Sequence, residues 1–304
     1  MEIISRQGDP NLAEVFVAKF RGDDRLLAEF VDARDPEEDP LHKWVIIVSS
    51  QFGCPIACPM CDAGGDYRGD LTEEEILSQI DAVVARHPEA RLAHATKLKV
   101  QFARMGEPAL NRAVLDALRE LPRRYAAPGL LPCIATTAPA ASERWFEDLA
   151  RIRHTTYEGK EFQLQISLNS TDEAARERLM PWPKMPFSFL CDYSRAFHEP
   201  HTRKVSLNFA LADGIPVEPE VIARHFDPVY TCIKITPLNP TERSRESGLA
   251  TALPPHAPEK ADMLCSELAL RGFDVILSIG DPRENAIGSN CGMAVRKIKT
   301  ASQR

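Results

Sequence analysis

The stretch Gly53-Cys54-Pro55-Ile56-Ala57-Cys58-Pro59-Met60-Cys61 decides how this chain is read. Its three cysteines have the spacing C-x3-C-x2-C, and no fourth cysteine lies nearby. Three thiolates can hold three irons of a four-iron cubane and leave the fourth iron open. An open metal position is where a substrate or cofactor binds and reacts. Two plainer readings compete. A tetrahedral zinc site needs a fourth ligand, which a distant His or Cys would have to supply. Disulfides suit an oxidising compartment, and the start Met1-Glu2-Ile3-Ile4-Ser5-Arg6 lacks the basic and apolar regions of a signal peptide.

Composition narrows the class. A chain of 304 residues can bury one large core or two modest ones, and an apolar content of 44% is ordinary for a globular protein. The longest apolar runs are too short to cross a bilayer. The expectation is a soluble, cytoplasmic protein without a membrane partner. In that compartment eight cysteines favour metal binding or catalysis over cross-links. Net charge is −7, and the nearest approach to a basic block is Arg296-Lys297-Ile298-Lys299. That lowers the odds of a large RNA substrate without excluding one, since an acidic protein can carry a local basic face.

Strand-like apolar runs alternate with amphipathic helical runs, the pattern of an α/β domain with a mainly parallel sheet. The first clear strand is Lys43 to Ser49, and the cysteine loop follows it directly. Thr72 with Glu75 forms a capping box for the next helix. Further strands are expected at about 98–103, 133–137, 162–168, 204–211, 232–236 and 273–278, with helices near 111–121, 143–152 and 259–271. Ser170 and Glu173 read as caps of another helix. Six βα repeats suggest an incomplete barrel, open on one side, with ligands at the carboxyl ends of its strands. Residues 1–40 carry weak strand and helix signals and read as an accessory lead-in, 41–295 as the barrel and 296–304 as a tail.

The cysteine motif resembles that of the radical S-adenosylmethionine (SAM) enzymes, in which the open iron chelates the amino and carboxylate groups of SAM. The stretch Val48-Ser49-Ser50-Gln51-Phe52-Gly53-Cys54 narrows the resemblance to the RlmN/Cfr class of RNA adenine methyltransferases. So do Met105-Gly106-Glu107-Pro108-Ala109-Leu110-Asn111, Ser167-Leu168-Asn169, Thr236-Pro237-Leu238-Asn239-Pro240 and Asn290-Cys291-Gly292-Met293. Each string is weak alone; five in order on matching strand ends are strong. The similarity runs from about Glu29 to Ala294. It implies a radical SAM barrel with a [4Fe-4S] cluster on Cys54, Cys58 and Cys61, and SAM as second cofactor. It implies SAM contacts at Gly106, Glu107, Ser167, Asn169 and Asn239. Thr137 stands at the matching place in Thr136-Thr137-Ala138-Pro139, where the family has a serine-containing run. Taken alone, Gly106-Glu107-Pro108 would be an ordinary βα turn, and Ser167 and Asn169 helix-capping residues. A reducing partner such as flavodoxin or ferredoxin is implied as well.

In the resembled enzymes the cysteine matching Cys291 is methylated by one SAM. The 5′-deoxyadenosyl radical from a second SAM then takes hydrogen from that methyl group, and the carbon radical adds to an sp2 carbon. Cys291 lies in the Gly/Ser/Asn-rich run 288–292, suited to a mobile nucleophile; alone it would read as a structural thiol. Cys133, Cys191, Cys232 and Cys265 read as core residues. Glu29 matches the family's proposed acid/base glutamate, although the insert Asp35 to Pro40 changes the spacing; the alternative is a solvated strand residue. Two departures bear on substrate. Ile47 stands where the family has the cysteine that resolves the enzyme–product adduct. The lead-in is also too short for the family's helical RNA-binding domain. The expectation is therefore a divergent relative acting on a small heteroaromatic or nucleobase-like molecule. The alternatives are a ribosomal or transfer RNA adenine C-methyltransferase, a radical SAM enzyme of a non-methylating rearrangement or oxidation, and a cluster-bearing scaffold without enzyme activity.

Overall fold

Alternation of apolar and polar residues writes the strands of this fold wherever one face is buried, and fails where both are. The computed structural model describes residues 1–34, 43–87, 92, 95–289 and 293–302. They divide into two units, one of residues 1–57, 62–135 and 283–304, the other of 58–61 and 136–282.

The first unit carries six strands in chain order: β1 (Glu2–Asp9), β2 (Ala13–Phe20), β3 (Asp23–Arg34), β4 (Trp44–Val48), β5 (Leu98–Phe102) and β6 (Leu130–Thr136, whose last residue belongs to the other unit). β1 to β4 pair antiparallel, with Val31 opposite Ile47. β4, β5 and β6 are parallel. The weak signals before residue 34 thus resolve into three strands without a helix. β2 is buried at nearly every position, so it shows no alternation. The β2–β3 turn places Arg21 and Gly22 both at positive φ, 53° and 68°, the geometry of a two-residue type I′ hairpin. Helix α1 (Glu73–Val84) starts with the expected capping box: Thr72 accepts from the Glu75 amide and Glu75 from the Thr72 amide. Helix α2 is Ala113–Arg124.

The second unit holds helix α3 (Glu143–Thr155), β7 (Gln163–Ser167), α4 (Glu173–Leu179), α5 (Phe187–Phe197), β8 (Val205–Leu211), α6 (Pro219–His225), β9 (Thr231–Pro237), α7 (Glu242–Glu246), α8 (Asp262–Leu270) and β10 (Val275–Leu277). β7 to β10 pair parallel in sequence order. The cap of α4 is Asp172, whose carboxylate accepts the Ala175 amide at 2.7 Å. Ser170 instead donates to the Pro216 carbonyl, so the expected cap lies two residues too early. Helix α9 (Pro282–Ile287), apart from Pro282, and helix α10 (Met293–Ser302) belong to the first unit. Cys133 and Cys232 are buried, while Cys191 and Cys265 are half-buried on α5 and α8. Among the described residues, no helix is long and apolar enough to cross a membrane.

Candidate active site

The cysteine loop leaves the carboxyl end of β4 and turns at Gly53, where φ is 80°. A Cβ at Gly53 would lie 2.5 Å from the Asp66 carbonyl oxygen, so the two backbones approach as only glycine allows. The returning chain frames the loop: Gly65 donates to the Cys54 carbonyl at 2.9 Å, Arg68 to that of Phe52 at 2.8 Å, and Leu71 to that of Ser50 at 3.1 Å. Phe52 and Ile56 are buried and anchor it in the core, with Phe52 edge-on to Phe20.

The Gly106-Glu107 turn locks onto this loop. The Ser50 and Gln51 amides both donate to the Met105 carbonyl, at 2.8 and 3.2 Å. The Glu107 amide donates to Gln51 Oε1 at 2.8 Å, and Glu107 Oε1 accepts the Ala109 amide at 3.0 Å. Gly106 has φ 98°, and an added Cβ would meet Gln51 Cβ at 2.6 Å. Asn111 finishes the web by donating to the carbonyls of Ser50, at 2.7 Å, and Leu71, at 2.8 Å. Asn111→Ala leaves both buried carbonyls without that donor. The expected cost is about 2–4 kcal/mol of stability, read as a lower denaturation midpoint, with slower iron uptake.

In the second unit the segment 58–61 hangs from the turn after β9. Thr241 caps α7 and donates to the Met60 carbonyl at 2.9 Å, and Ser247 donates to that of Pro59 at 3.2 Å. Asn239 is half-buried there, its carbonyl accepting from the Thr241 amide at 2.9 Å. Thr241 was not among the expected site residues, though Thr-Glu-Arg-Ser after a proline is a helix-start signal. Thr241→Val removes both the cap and the hold on Met60; about 1–2 kcal/mol of lost stability and weaker iron retention are expected in a melting and metal-loss assay.

Thr137 is half-buried, after Thr136, whose hydroxyl accepts the Ala138 amide at 2.9 Å. Ser167 ends β7 in a row with Asn208 of β8 and Lys234 of β9. Strand alternation does not extend to Asn169, whose φ of 59° takes it out of the strand; its side-chain oxygen accepts the Ala210 amide at 3.1 Å. The row of polar residues Ser167, Asn208 and Lys234 emerges only from the strand register, since each alone is a single polar residue inside an apolar strand.

A cleft of about 160 Å³ in the first unit is lined by Gly53, Asp62, Gly65, Met105, Arg296 and Lys299. Lys299 pairs with Asp66 at 2.6 Å. Burial opposes ionisation of Asp66, but Lys299 and Arg68 outweigh it and hold the carboxyl below its usual range.

The chain is 30% identical over 258 residues to a probable dual-specificity RNA methyltransferase RlmN of Parasynechococcus marenigrum, covering 80% of this chain and 71% of the relative. The chain belongs to the RlmN/Cfr-like family of radical SAM methyltransferases. A relative of the same name from Cutibacterium acnes is 29% identical over 259 residues, covering 81% of this chain but only 60% of its own length. The chain thus spans from about three-fifths to seven-tenths of these two relatives. No family model matches it. The fold also matches the crystal structure of a radical SAM methyltransferase from Sphaerobacter thermophilus, with a TM-score of 0.71, 21% identity and coverage of 96% of this chain and 80% of that one.

The family implies SAM and an iron–sulfur cluster, and the donor chemistry suits them. Cys54, Cys58 and Cys61 are half-buried cysteines that form no disulfide. Among the described residues no three His, Cys, Asp or Glu side chains are gathered to hold a single metal ion. A cubane spreads its thiolates over different irons and does not require that convergence. Cys291 lies outside the described residues. Glu29 is fully buried, not the solvated strand residue offered as its alternative reading, because Arg104 and the start of α10 cover its carboxylate on the sheet face.

Proposed function

We propose that this chain is a radical SAM C-methyltransferase that passes a methyl group from SAM through Cys291 to an sp2 carbon. Cys54, Cys58 and Cys61 would hold a [4Fe-4S] cluster. Gly106, Glu107, Thr137, Ser167, Asn169 and Asn239 would bind and orient SAM. When bound, the cluster supplies the electron for reductive cleavage of SAM. β4 to β9, each followed by a helix, would form the six repeats of an open barrel. The observation that carries the reading is the backbone web between Ser50-Gln51 and Met105-Gly106-Glu107, which couples the cysteine loop to a glycine-acid turn. Such a turn lets the backbone approach SAM, and a carboxylate beside it suits an ammonium group.

The relatives are named RNA methyltransferases, which supports an adenine carbon of RNA as substrate. Ile47 favours a second reading, a small heteroaromatic or nucleobase-like molecule, because no thiol at that position is available to resolve a covalent adduct. Anaerobic reconstitution with methyl-labelled SAM and a reductant tests both. Label on a Cys291 peptide, passed on to ribosomal or transfer RNA with a steep salt dependence, supports the RNA reading. Label passed only to small heteroaromatics supports the second. Cleavage of SAM with no label on protein or product rejects methyl transfer.

A further inference from the structure

We propose that Arg104 and Glu29 form a buried clasp that positions the segment bearing Cys291, with Glu29 acting as a positioning residue rather than as an acid or base. Its functional meaning rests on Cys291 as methyl carrier; the clasp itself stands on geometry. Glu29 is fully buried and Arg104 is 4% exposed. The guanidinium lies 2.7 Å from Glu29 Oε1. It also donates to the Gly288 carbonyl at 2.8 Å and to the Ser289 carbonyl. The other carboxylate oxygen accepts the amides of Ala294 at 3.0 Å and Val295 at 2.9 Å. One ion pair therefore grips the chain on both sides of residues 290–293, by carbonyls before them and by amides after.

Each charge suits the group it holds. Gly288 and Ser289 follow α9, with both amides bonded back to Glu284, so a cation meets carbonyls at a helix carboxyl end. Ala294 and Val295 open α10, so an anion meets free amides at a helix amino end. The clasp is also built on the ends of the strands that carry the cysteine loop and the Gly106-Glu107 turn. Ser49 donates to the Glu29 carbonyl and accepts the Met105 amide at 3.2 Å. Arg104 itself donates its amide to the Val48 carbonyl at 3.1 Å. A general acid or base needs an oxygen open to the reacting group. Here one oxygen faces Arg104 and the other takes two amides, so the carboxylate holds backbone.

The test uses Arg104→Lys, which keeps the charge but loses the fork that reaches carboxylate and carbonyls together, with Arg104→Met and Glu29→Gln beside it. Amide hydrogen exchange at 288–295 and the alkylation rate of Cys291 are measured without SAM, then methylation of Cys291 and 5′-deoxyadenosine formation after reconstitution. For Arg104→Lys, exchange of Ala294 and Val295 and alkylation of Cys291 should rise about tenfold or more. Methyl on Cys291 should fall by about the same factor, with 5′-deoxyadenosine within roughly threefold of the parent. Unchanged exchange and alkylation in Arg104→Lys overturn the clasp, and that variant carries the test if Arg104→Met does not fold. Parent-like exchange and alkylation in Glu29→Gln, with product formation lost, make Glu29 an acid/base residue and overturn its positioning role. If the parent takes no methyl at Cys291, the carrier reading fails, while exchange and alkylation still decide the clasp.

Discussion

Cys54→Ala is expected to yield a folded protein that holds little iron and produces 5′-deoxyadenosine only at background. The backbone at residue 54 is fixed by its exchange with Gly65 and by the glycine turn before it, none of which uses the thiol. The half-buried side chain contributes little packing, so the melting midpoint should move by only a few degrees. Iron is another matter. Loss of an outer-shell partner alone weakens metal binding or activity about 10–100-fold, so loss of a thiolate ligand should exceed that. Iron and sulfide content, with 5′-deoxyadenosine formed under anaerobic reduction, give the measurement. Cys58→Ala and Cys61→Ala should behave alike, whereas Cys133→Ala should keep its iron, since Cys133 is buried in β6. A Cys54→Ala protein that cleaves SAM at the parental rate would reject the cluster assignment.

That experiment tests the part of the chain that was most legible. The cysteine spacing, the capping box at Thr72 and Glu75 and the ends of β4 and β5 are local signals, each carried by a few neighbouring residues. What could not be read depends on contacts across long separations. β2 is buried on both faces and so loses the alternation that marks a strand. Glu29 reads as an acid/base glutamate or a solvated strand residue, and only the approach of Arg104 and of Ala294 and Val295, some 265 positions later, reveals its partners. Arg104 carries no signal in the sequence, yet it is buried and pairs with Glu29. The hold of Thr241 on Met60 is equally invisible, although a helix start at Thr241 could be inferred. Local chemistry thus announces the loop that would carry the cofactor, while the contacts that orient it emerge only in the folded chain.

Cys291→Ala is the second large effect, and it separates two uses of SAM. On the proposed route the Cys291 thiolate attacks the SAM methyl, the carbon–sulfur bond of the sulfonium breaks, and S-adenosylhomocysteine leaves. Alanine has no sulfur to accept the methyl. Label from methyl-labelled SAM should vanish from the 291 peptide, and methylated product should fall by at least about a thousandfold, the scale seen when a nucleophile is deleted. Reductive cleavage should survive, because Cys54, Cys58, Cys61 and the Gly106-Glu107 turn are unaltered; 5′-deoxyadenosine then forms without product. Cys291→Ser is the sterner control. Its hydroxyl fits the same space, yet without a strong base it is a poor nucleophile at neutral pH. Serine should therefore match alanine, not the parent. Methylated product from either variant at more than a few per cent of the parental rate would mean that Cys291 is not the methyl carrier, and that the methyl group reaches its acceptor by another path.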